Sequence, residues 1–66
     1  MTFYAVVRIR DQQVMSSGPS LAKVALALDP GTVWGADEDS IEAAEDCAMA
    51  KAQKYADSGY EEWVLD

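Results

Sequence analysis

Histidine is absent from this chain of 66 residues, and cysteine occurs once, at Cys47. The first absence removes the commonest general base and the commonest transition-metal ligand. The second rules out an internal disulfide framework, so a reducing, cytoplasmic setting is expected. No stretch approaches the roughly 18 consecutive apolar residues of a membrane span, and the apolar start, Met1–Ile9, lacks a leading basic cluster and is broken by Arg8, with Arg10 directly after it. A membrane partner is therefore not expected.

Bases are scarce as well. Five Lys and Arg stand against twelve Asp and Glu, for a net charge of -7. Direct contact with nucleic acid calls for a Lys/Arg patch that neutralises phosphates, and this chain has too few bases to build one.

Several catalytic and ligand-binding patterns fail on spacing. Gly18-Pro19-Ser20 lacks the Gly-x-x-x-x-Gly-Lys-Ser/Thr arrangement of a phosphate loop. Asp37-Glu38-Asp39 opens like a calcium loop. Counted from Asp37, however, the sixth position is Glu42 where glycine is needed, and the twelfth is Ala48 where glutamate is needed. Cys47 has no histidine to activate it and reads as a structural thiol within a helix. Paired carboxylates alone do not make a glycosidase in a chain too short to surround a sugar. We expect no enzyme activity, cofactor or dedicated metal site.

What is present is a normal globular fraction of hydrophobic residues, 50%, eleven of them alanine. The larger side chains expected to form the core are Phe3, Val6, Val7, Ile9, Leu21, Val24, Leu28, Val33, Trp34, Ile41, Tyr55, Trp63 and Leu65. A chain of this length holds one domain, residues 1–66, which buries only about 60% of its unfolded surface.

Alternation of Phe3, Ala5, Val7 and Ile9 with their neighbours predicts a half-buried strand over 2–10. Asp11–Gln13 reads as a turn, with a short return strand at Val14-Met15. Ser16–Ser20 carries helix-start chemistry, followed by Leu21, Val24, Ala25 and Leu28 on one helical face. Asp29-Pro30-Gly31 ends that helix. A strand follows at 32–36, then a helix from about 40 to 57 closing near Gly59, with Ile41, Ala44, Ala48, Ala52 and Tyr55 along its apolar stripe. Tyr60–Leu65 reads as a last strand. The expected fold is α+β in the order β-α-β-α-β, with about three strands packed on two helices.

Charge is unevenly distributed along this plan. Residues 1–28 hold Arg8, Arg10 and Lys23 against Asp11, a balance of +2, while residues 29–66 hold eleven acids against Lys51 and Lys54, a balance of -9. Between Lys23 and Lys51 there is no base. Glu42, Glu45 and Asp46 fall on one flank of the second helix, with Asp37, Glu38 and Asp39 just before its first turn. Lys51 and Lys54 fall on the opposite flank. Glu61 and Glu62 extend the acidic set into the tail.

A bland reading exists: acids near a helix N-terminus complement the backbone dipole by ~0.3–1 kcal/mol each. It covers Glu45 and Asp46 less well. The like-charge spacings Glu42–Asp46 and Glu42–Glu45 cost stability with no lysine placed to relieve them. The other reading is a partner surface, on which spaced carboxylates imitate phosphates and enter a basic groove. Trp34, Tyr60 or Trp63 would supply an apolar anchor beside the charges, unless the two tryptophans belong to the core.

In its length, its base-free acidic gap Asp29–Asp46, its acidic tail Asp57–Asp66 and its missing catalytic set, the chain resembles the small proteins that bacteriophages encode against host defence, anti-CRISPR proteins and other nucleic-acid mimics among them. The resemblance implies a non-enzymatic inhibitor in the host-cell cytoplasm. Such an inhibitor binds a protein partner's nucleic-acid-binding groove, as on a CRISPR effector complex, and is a monomer or weak homodimer. A competing expectation is an adaptor that docks or dimerises through an apolar patch or strand edge, where Tyr4, Val6 and Val64 would matter.

Overall fold

The computed structural model describes residues 1–59. Its elements in chain order are β1 (Phe3–Arg8), β2 (Gln13–Gly18), α1 (Leu21–Val24) extended by a 3-10 turn over Ala25–Ala27, β3 (Thr32–Asp37) and α2 (Ile41–Asp57). The strands form one antiparallel sheet in the order β2-β1-β3. The α+β expectation of three strands and two helices holds, with the described elements running β-β-α-β-α. The strand expected at Tyr60–Leu65 lies outside the described residues.

The return strand is the main departure. It runs six residues, through the Ser16-Ser17-Gly18 segment that reads locally as a helix start. Pairing with β1 overrides that local chemistry, and only Ser20 caps a helix, accepting the Lys23 N–H at 3.4 Å. Register passes from Val6↔Ser16 to Val7↔Val14, so Met15 is the extra residue of a β-bulge. The turn before β2 is held by Gln12, at φ 54°, whose side-chain amide donates to the Ile9 carbonyl at 2.7 Å.

β1 is central and buried on both faces, where the alternation predicted one. Ala5, Val7 and Ile9 pack with Val33 against Ala44, Ala48 and Ala52 of α2. Val6 points the other way and is also fully buried. α1 touches β1 and β2 and buries Val24, covering that second face.

The four largest fully buried side chains, Ile9, Val6, Val7 and Val33, all come from the sheet, each contributing about 1.5–3 kcal/mol of burial. Helix α2 contributes closeness. A Cβ placed on Gly35 would stand 2.5 Å from the Ala48 backbone nitrogen, so helix and strand meet backbone to backbone. Of the expected core, Leu21 and Ile41 are instead exposed, at 46% and 38%. Ile41 sits on the apolar stripe but in the first turn of α2, and Leu21 is likewise the first residue of α1. Trp63 and Leu65 lie outside the described residues. No described helix is long and apolar enough to cross a membrane.

Candidate partner-binding surface

The acidic run begins where β3 ends. Asp37 pairs with Phe3 at the start of β1, and its Oδ1 accepts the Asp39 N–H at 2.8 Å, fixing the bend that carries Glu38 and Asp39 into solvent. Ser40, in extended conformation, then caps α2 by accepting the Ala43 N–H at 3.0 Å. Glu42 follows in the first turn, exposed to solvent. The caps set the direction of these acids, because bend and helix start are tied to one another and to the sheet.

At about 100° per residue, Glu42, Glu45 and Asp46 spread over roughly 100° of the helix. Asp46 lies nearly opposite the buried alanines and is exposed, whereas Glu45 sits on the margin and is half-buried. The structure thus joins six of the eight predicted residues, Asp37, Glu38, Asp39, Glu42, Glu45 and Asp46, into one end and one flank of α2. Glu61 and Glu62 lie outside the described residues.

Counter-ions are elsewhere. Among the described residues the one ion pair is Arg8 with Asp11, at 2.6 Å. It sits at the far end of β1, five residues from Phe3 and thus about 17 Å away along the strand. Arg8 holds the Asp11 carboxyl down at about 2, chiefly through this hydrogen-bonded contact, and its own pKa is raised in return. Residues 60–66 contain no base.

Lys51 is committed to the opposite flank. Its ammonium donates to the Trp34 carbonyl at 3.0 Å and lies 5.1 Å from the centre of the Trp34 ring. Trp34 is half-buried, 6.3 Å from the Tyr4 ring and tilted 38° to it. It is therefore neither a core residue nor a free anchor. Tyr60 and Trp63, the other anchors, lie outside the described residues. Val6, expected to matter at a docking edge, is fully buried and cannot meet a partner.

The Lys51–Trp34 contact was not legible in the sequence. Its only signal is register: once Ala48 is known to sit against Gly35, the residue one turn on reaches the strand's outer margin. Cys47 is half-buried and forms no disulfide. Among the described residues no group of three or more His, Cys, Asp or Glu side chains is arranged to hold a metal. No family model matches the chain, and neither a curated protein nor a solved structure matches it.

Proposed function

We propose that this protein is a non-enzymatic inhibitor whose acidic end, Asp37 to Asp46, occupies a basic nucleic-acid-binding groove on a partner protein. The supporting observation is that six carboxylates on a capped loop–helix junction have no counter-ion among the described residues. A protein gains little stability from leaving such a group unrelieved, whereas a cationic partner gains both attraction and orientation from it. Glu61 and Glu62 are proposed to extend the same surface.

Opposite charges steer encounter, so association is fast at low salt and weakens as salt rises. A CRISPR effector complex loaded with its guide RNA is the partner class we favour, with this protein standing where target DNA would lie. The test is competition between the protein and duplex DNA for the same purified effector complexes, followed by fluorescence anisotropy of labelled DNA. Displacement that diminishes with added salt supports the proposal. Simultaneous binding of both ligands, or binding indifferent to salt, contradicts it and favours docking through an apolar surface.

A further inference from the structure

We propose that Lys51 guards the outer edge of β3, and that the partner it excludes is a second copy of this chain. The inference starts from hydrogen-bond parity. The Ile9 N–H donates to the Gly31 carbonyl at 2.8 Å, continuing the register in which Arg8 faces Thr32. In an antiparallel ladder such bonded pairs alternate with unbonded ones. Val7–Val33 and Ala5–Gly35 are therefore bonded pairs, whereas the N–H and C=O groups of Thr32, Trp34 and Ala36 point away from β1.

That outer row is self-complementary. Two β3 strands related by a two-fold axis at Trp34 would pair antiparallel, with each Trp34 N–H donating to the other copy's Trp34 carbonyl. Among the described residues no strand pairs with this row, and a row left unpaired invites such addition. Here the Thr32 N–H is taken by the Asp29 carbonyl at 3.1 Å, and the central acceptor, the Trp34 carbonyl, is taken by Lys51. The ammonium is held there by the indole ring as well. Two copies meeting along this axis would bring two ammonium groups together, which adds repulsion to the lost acceptor. The opposite edge, β2, carries its own obstacle in the Met15 bulge.

This device is independent of the acidic end, and its salt response has the opposite sign. Net charge of -7 per copy keeps two copies apart, so screening favours self-association while it weakens capture of a cationic partner. The test is sedimentation velocity over a range of protein concentrations, at low and high salt, on the full chain and three variants. Wild type and Lys51→Arg, which keeps a cationic donor, are expected to sediment as single copies. Lys51→Met is expected to shift toward a species of twice the mass, more so at high salt. Adding Ala36→Pro to Lys51→Met removes an outward N–H without touching the β1 ladder and is expected to restore the single copy.

The proposal is overturned if Lys51→Met stays a single copy with its circular dichroism intact. Protection from hydrogen exchange appearing in residues 60–66 of that variant would name the chain's own tail as the occupant. Association that persists in the double variant overturns it too, since the interface then lies elsewhere. If Lys51→Met loses its fold, Lys51→Gln replaces it. Loss of fold in both assigns Lys51 to holding the domain together and ends the proposal.

Discussion

The two sides of α2 obey different rules. One side presents Ala44, Ala48 and Ala52, wholly buried and so close to the sheet that Gly35 can have no side chain. The other presents Glu42 and Asp46, with Glu45 at its margin, and nothing among the described residues neutralises them. One helix thus separates what holds the fold from what faces outward. Substitutions on the buried side should cost stability. Those on the acidic side should cost binding and leave the fold intact.

The largest expected effect lies on the buried side. Gly35→Ala puts a methyl group into the Ala48 backbone, where only movement of the whole helix makes room, and should destabilise by about 3 kcal/mol or more. A chain of this length has a total stability of about 3–10 kcal/mol, so urea unfolding followed by circular dichroism should show a third or more of that stability lost. Ser40→Ala removes the cap at the boundary between the two sides and should lower the unfolding free energy by about 1 kcal/mol. It should also loosen the aim of Glu38 and Asp39, weakening partner binding out of proportion to the stability lost.

Smaller still is Glu42→Lys on the acidic side. Relief of the like-charge spacings with Glu45 and Asp46, about 0.2–0.5 kcal/mol, is opposed by loss of the favourable first-turn charge, ~0.3–1 kcal/mol, so stability should change by less than about 1 kcal/mol. Both contributions should fade when salt is added.

The smallest effect belongs to Asp11, the one acid in an ion pair among the described residues. Folding lowers Asp11 from 3.8 to about 2, so its contribution is present above pH 3.8 and is lost as pH falls toward 2. Asp11→Asn should therefore flatten the acid limb of stability against pH in that window. The exposed position keeps the effect modest.

Much of this division was readable beforehand, because helix periodicity sorts α2 without reference to the rest of the chain. Ala44, Ala48 and Ala52 recur at helical spacing, and the acids fall outside their arc. The β1 pattern was half legible. Alternation located Ala5, Val7 and Ile9, but that Val6 is buried too depends on α1 crossing the other face, a tertiary fact. The return strand was underestimated because Ser16, Ser17 and Gly18 carry turn and cap preferences that pairing with β1 outweighs. The core was misjudged in a similar way. Close approach at Gly35 favours small residues on α2, so the alanines are buried there, while Leu21 and Ile41, each the first residue of its helix, are exposed. On the acidic surface, residue identity was legible and the absence of counter-ions among the described residues was not, since that depends on where Arg8 and Lys51 are held.

The most direct test of the central claim is the triple charge reversal Glu42→Lys, Glu45→Lys, Asp46→Lys. Affinity for a guide-loaded effector complex would be measured beside the thermal unfolding midpoint. The account predicts that binding is abolished while the chain stays folded, the midpoint falling only slightly because the reversed charges keep their like-charge spacings and oppose the helix dipole. Unchanged affinity on an intact fold would make the acidic flank ordinary solvated surface and contradict the account.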